Sequence, residues 1–222
     1  MTTSACFFDV SVVLAATPLA THVAASHAAA SPLLWYLTRA LAVGAYVSLT
    51  ISVLFGALRS IARQLHERLS WMVDELHQFL ALLAATLTLG HLLTLLLDPY
   101  LPFSLQNLLV PLSEPYRPFA VVLGVLALYT MVALLLTSWF RVFMPYTFWR
   151  ALHYLSFVTF ILVTAHGLLA GSDANELWMR AIYGGAVGAF AFVALVRLVG
   201  RSRTAARVNK APSVSKSSLG QR

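Results

Sequence analysis

The chain has 222 residues, 59% of them hydrophobic and only 10% charged, with a mean hydropathy of +0.79. Soluble domains carry about 25% charged residues, so this composition excludes a soluble globular protein and implies an integral membrane protein of one domain. The single cysteine, Cys6, excludes an internal disulfide and a Cys₄ iron–sulfur or zinc site. The formal charge of +7 is no sign of nucleic acid, because the basic residues gather in the loops and tail of one side, as membrane insertion requires.

In chain order, residues 1–32 hold a first span at about 6–25 or, in the competing reading, a signal-like segment; the N-terminus lacks positive charge and contains Asp9, which favours a span. His22 and His27 follow it and are assigned no role. The second span is Leu33–Leu58, with Arg39 near its start in WYLTRALAVG. Two readings of Arg39 stand: a snorkelling side chain, or a cation for a haem propionate. RSIARQLHERLSW (Arg59–Trp71) is a basic amphipathic connector, and His66 in it reads as solvated.

The third span, about 74–97, lies in VDELHQFLALLAATLTLGHLLTLLLD and carries His77 and His91. Asp98–Arg117 is a proline-rich surface loop in which LPFSLQNLLVPL forms a short interfacial piece. The fourth span, Pro118–Phe140, has no charge and no candidate ligand and reads as scaffold. The fifth, about 151–170, lies in RALHYLSFVTFILVTAHGLLAG and carries His153 and His166. GSDANEL (Gly171–Leu177) is an acidic turn. The sixth span is about 178–199, where Gly184 and Gly188 make a small-xxx-small face. The basic, Ser-rich tail from about residue 200 is expected to be disordered.

The organising feature is the doubled histidine pair. At about 1.5 Å per residue, the fourteen residues from His77 to His91 and the thirteen from His153 to His166 each cover ~20 Å of helix. That is two layers within a hydrocarbon core of ~30 Å. If spans three and five run the same way, His77 faces His153 and His91 faces His166. Two levels with two imidazoles each is what two six-coordinate haems require. A bare zinc or copper ion would find too few ligands at either level. Thirteen residues fall ~140° short of four helical turns, so a distortion of span five is expected between Leu155 and Ala165. The second partner of His77 is expected to be the Val73 carbonyl or Asp74.

Counting Lys and Arg by loop gives twelve on the side of Arg59–Trp71, Arg141–Arg150 and the tail, against three (Arg39, Arg117, Arg180) on the other. The first side is therefore cytoplasmic, the C-terminus included.

The pattern His-x13-His, then His-x12-His two spans later, resembles the ferric reductase-like transmembrane superfamily, as do the strings WYLTRALAVG, LLDPYLPFSLQNLLVP, EPYRPFAVVLGVLALY and HGLLAGSDA. The resemblance covers about 33–199 and is to its small stand-alone bacterial members. It implies His77, His91, His153 and His166 as axial ligands of two b-type haems, with Arg39 near the outer one. The larger members append a flavin and nicotinamide domain, and no GxGxxG-type loop occurs in this sequence.

The expected fold is therefore all-α: an integral membrane bundle of six transmembrane helices, or five if the first segment is removed, with two haems between spans three and five. The domains expected are 1–32, a haem domain at 33–199, and a cytoplasmic tail at 200–222. The expected function is transfer of single electrons from a separate cytoplasmic flavoprotein or a quinol to an extracytoplasmic acceptor such as ferric iron. Alternatives are a haem subunit for a dedicated periplasmic reductase, and a haem-free membrane scaffold or transport-related protein. The expected location is the inner (plasma) membrane.

Overall fold

The computed structural model describes residues 33–65, 67–98, 103–115 and 117–210. The expected first span, His22, His27, His66 and the end of the tail lie outside them. The described elements are all helical: α1 (Leu33–Leu65), α2 (Glu67–Leu97), α3 (Leu105–Leu109), α4 (Pro118–Trp139), a 3₁₀ turn (Arg141–Phe143), α5 (Tyr146–His153), α6 (Leu155–Ala170) and α7 (Leu177–Lys210). Among the described residues, five stretches are long and apolar enough to cross a membrane: Leu33–Arg59, Leu69–Leu97, Pro118–Trp139, Tyr146–Ala170 and Leu177–Val199. Each is an apolar run bounded by charges, turns or proline, and a lipid-spanning backbone must pair its own N–H and C=O groups, which a helix does. The chain is a multi-pass membrane protein.

Two antiparallel hairpins frame the bundle. In the first, α1 packs along α2, at a register fixed by Gly44 beside Leu87 and Gly90 beside Leu41. In the second, α4 packs along α6. Helix α1 also meets α6: the Tyr46 hydroxyl lies 3.3 Å from Thr164 Oγ1, and Arg39, about two turns earlier, reaches Asp173 just beyond α6. Helix α1 is thus antiparallel to both α2 and α6, so α2 and α6 run parallel. These two histidine-bearing helices make no extended backbone contact with each other. The core of large side chains sits elsewhere, among α1, α6 and α7, with Tyr46, Val53, Phe160, Met179 and Tyr183 buried together. Tyr46 meets Tyr183 edge to face at 5.1 Å and Phe160 stacks on Phe190 at 4.8 Å, pairings that add to the area they bury.

Three features depart from the sequence expectations. Span five is broken at Tyr154, immediately after His153 and one residue before the stretch expected to distort. There the Tyr154 N–H donates to Ala151 O (3.2 Å) and Phe157 N–H to Tyr154 O (3.1 Å). These i→i+3 bonds wind the chain at about 120° per residue in place of 100° and so recover part of the missing rotation. Gly184 and Gly188 are exposed, and a Cβ at either would meet nothing within 4 Å; no described helix uses them for close packing. Helix α7 continues to Lys210, past Arg201, where the sequence reading expects structure to end.

The loop after α2 contains α3, capped by a reciprocal Ser104–Asn107 box. Leu108 is buried from it. Arg117, in the left-handed region (φ 47°), then turns the chain into α4, whose first residue is Pro118.

Candidate functional site

The four histidines fall into the two levels their spacing implies. At the inner level the rings of His77 and His153 meet edge to face, centroids 6.0 Å apart and planes at 75°. At the other level His91 and His166 line one cavity of about 360 Å³, with Thr38, Tyr46 and Arg39 also on its wall. That volume is within the range of cofactor sites.

Neighbouring helices hold three of the imidazoles through backbone carbonyls. His77 Nδ1–H is shared between the carbonyl of Ser52 (2.8 Å) and its hydroxyl oxygen (3.0 Å), and that hydroxyl donates to His77 O at 3.0 Å. His91 Nδ1–H donates to Thr38 O at 3.0 Å. His166 Nδ1–H donates to Ala120 O at 2.7 Å. A carbonyl only accepts, so each of these rings carries its proton on Nδ1 and keeps the Nε2 lone pair free. Metal-binding histidines are oriented in this way.

Each accepting carbonyl also has a small residue four positions later. In a helix the side chain at i+4 leans back over the carbonyl of residue i, and a large one would keep the imidazole away. Those positions are Ala42, Gly56 and Gly124. A Cβ on Gly56 would stand 3.0 Å from His77 Cε1, and one on Gly124 2.8 Å from His166 Cε1 and Nδ1. Helix α4, expected as plain scaffold, therefore seats His166 with Ala120 and Gly124. The expected partner of His77 is replaced as well. Asp74 instead pairs with Arg59, at 2.5 Å and 2.7 Å.

His153 differs from the other three. Its Nδ1 is buried without a hydrogen-bond partner, as is Nε1 of Trp149, whose ring stacks on His153 at 5.0 Å. Trp149 is a wall of the inner level.

Arg39 lines the His91–His166 cavity but is neither a free cation nor a snorkelling side chain. Its Nε donates to Asp173 at 2.7 Å, with a second ion-pair contact from Nη2. Its guanidinium also lies over the Trp35 ring, 4.0 Å from the centroid. The acidic turn after α6 thus closes onto the start of α1. Arg117 caps the same end of α6 by donating to Leu169 O at 2.9 Å.

The fit to iron can be tested at the inner level. Two imidazoles on opposite faces of one metal, each with a bond of about 2 Å, have ring centres about 6 Å apart; the pair here stands at 6.0 Å. Among the described residues no three of His, Cys, Asp and Glu converge, so the donor set is one of imidazole pairs, suited to a macrocycle that brings its own four nitrogens.

No curated protein and no solved structure matches the chain. The family described as ferric reductase like transmembrane component matches residues 41–164, 124 of the 222. The match contains His77, His91 and His153 and ends two residues before His166. On this match the chain belongs to the ferric reductase-like transmembrane family, whose role is electron transfer in membranes.

Proposed function

We propose that the chain is a di-haem b-type cytochrome that carries single electrons across the inner membrane. The observation that carries this reading is the His77–His153 pair, with a ring separation that suits one iron and with His77 fixed on the Nδ1-protonated tautomer. His77 and His153 hold the inner group, His91 and His166 the outer one. When bound, each haem would supply a one-electron centre held between two imidazoles that the protein already positions, so electron transfer would need little movement of those residues. The protein's part is to fix the imidazoles by backbone carbonyls, to keep α2 and α6 apart, and to exclude water with the apolar walls of the spans.

The bias of twelve basic residues against three puts the inner level and the C-terminus in the cytoplasm. With the segment at about 6–25 counted, the chain has six spans. The donor is a separate flavoprotein or a quinol at the cytoplasmic face, and the acceptor lies outside, ferric iron or a dedicated periplasmic protein. Arg39 acts on the outer site through its ion pair with Asp173, shaping the cavity wall.

The test is a dithionite-reduced minus oxidised spectrum of the detergent-purified protein, with haem counted per chain. Two haems with sharp low-spin bands are expected, one lost in His77→Ala and the other in His91→Ala. A colourless protein, expressed with ample haem supply, would end this reading.

A further inference from the structure

A second cavity, of about 340 Å³, lies beside the inner level and is lined by Arg59, Arg141, Met144, Tyr146 and Trp149 among others. Its walls come from both sides of the His77–His153 pair. Arg59 is held by Asp74, three residues before His77 on α2. Trp149 stands four residues before His153 and stacks on that ring at 5.0 Å. Three or four residues are about one helical turn, and α2 runs parallel to the span that carries His153 and His166. The cavity therefore lies about one turn from the inner pair, on the side away from His91 and His166. Its two guanidiniums differ. The charge of Arg59 is met by Asp74, whereas Arg141 makes no hydrogen bond or ion pair among the described residues. Nε1 of Trp149 is a buried donor with no acceptor. A cation and an N–H left over in one cavity call for an anionic ligand with oxygen acceptors.

We infer that Arg141 and Trp149 receive the propionate edge of the inner haem, so that the group is held by its carboxylates as well as by its iron. This rests on the di-haem reading and adds an orientation to it. The two propionates of a b-type haem leave from one edge of the macrocycle and are anionic at neutral pH. Buried in hydrocarbon without a cation, they are costly. Toward the middle of the bundle nothing would neutralise them. Residues 78–90 of α2, 154–165 of the other histidine-bearing span, 40–58 of α1 and the whole of α4 contain no Lys or Arg. Toward the side proposed as cytoplasmic, the cavity offers the unpaired guanidinium, whose planar fork suits a carboxylate. It also offers the indole N–H, which gains the acceptor it lacks. Arg141 is exposed, so this end of the site borders water.

The experiment follows haem leaving the haem-loaded, detergent-purified protein for an excess of apomyoglobin, read by absorption. Parent, Arg141→Gln and Trp149→Phe are each loaded with protohaem and, in a second set, with its dimethyl ester, which has no carboxylates. With protohaem, Arg141→Gln should release one haem of the two ~10-fold faster than the parent, between the effect of an exposed ion pair and that of a buried one. With the ester, parent and Arg141→Gln should release alike, because the partner of the guanidinium is already gone. Trp149→Phe keeps a ring against His153 and removes the donor, and it should release protohaem several-fold faster. Either variant holding protohaem as the parent does would overturn the inference. That holds even if Arg141→Gln changed the salt dependence of reduction, since Arg141 would then serve the surface alone. Equal acceleration of Arg141→Gln with protohaem and with the ester would overturn it too, because the effect would not pass through the carboxylates. A protein that takes up no protohaem would sink the di-haem reading, and this inference with it.

Discussion

Gly124 lies against the ring of His166 so closely that a Cβ on it would stand 2.8 Å from both Cε1 and Nδ1. Real side chains do not approach to this distance, and the ring is held in place by its bond to Ala120 O. Gly124→Ala must therefore push His166 off that carbonyl. Retention of the outer haem is expected to fall ~10-fold, as for loss of a partner to a ligating histidine, while the inner haem stays. Gly184→Ala is the control. It adds a methyl group where nothing lies within 4 Å, and a mid-helix glycine gains about 0.5–1 kcal/mol on that change. Haem counted per chain in the two variants checks both statements.

Ser52 offers a finer test, because it serves His77 in two ways. Its carbonyl takes the Nδ1 proton, and its hydroxyl donates back to His77 O. Ser52→Ala keeps the first and removes the second. The side chain is only 2% exposed, and His77 O keeps its helical donor, so the change removes one buried hydrogen bond, at a cost of about 1 kcal/mol. The expected result is a lower melting temperature with the haem content unchanged. Loss of the inner haem in this variant would mean that the hydroxyl, rather than the carbonyl, sets the tautomer.

The Arg39–Asp173 pair joins segments 134 residues apart in sequence, and its side chains are 28% and 15% exposed. It is neither a surface pair of little consequence nor a fully buried one. Asp173→Asn removes the carboxylate charge and one of its two acceptors, and a cost of about 1–2 kcal/mol is expected, between those two limits. Arg39→Lys should not restore the pair, because lysine lacks the planar fork that meets a carboxylate and an indole together. Thermal melts of the two variants, followed at the absorption of the outer haem, give the comparison.

These residues mark how far the sequence could be read. The apolar spans, their boundaries and the matched depth of the histidine pairs follow from composition and a helical rise, which are local properties. The parallel course of α2 and α6 follows from chain order once each span crosses. The seats of the imidazoles were not legible, because their acceptors are backbone carbonyls, and every residue type has one. Only the register between helices selects Ser52, Thr38 and Ala120. A faint signal existed in Gly56 and Gly124, glycines inside apolar spans that no turn required. The distortion of span five was legible from the thirteen-residue spacing, although its place at Tyr154 was not. Asp173 could be seen as part of an acidic turn, but its partner on α1 could not.

The basic connectors separate into two functions, and this bears on the electron donor. From the sequence, Arg59, Arg63, Arg68, Arg141 and Arg150 make one docking surface on the face proposed as cytoplasmic; the side chains of Arg63 and Arg68 lie outside the described residues. The structure takes Arg59 out of that set, because Asp74 on the facing helix holds it. Arg141 and Arg150 are exposed. If the donor is an acidic soluble flavoprotein, Arg141→Ala together with Arg150→Ala should slow reduction several-fold at low salt. The difference should vanish as ionic strength rises, because rim charges act mainly on the rate of encounter. Arg59→Ala should instead weaken the α1–α2 hairpin and leave the salt dependence intact. Stopped-flow reduction across a salt series distinguishes these outcomes. A rate that does not respond to salt in the parent, or to the loss of Arg141 and Arg150, would mean that the electrons arrive from a neutral carrier within the membrane.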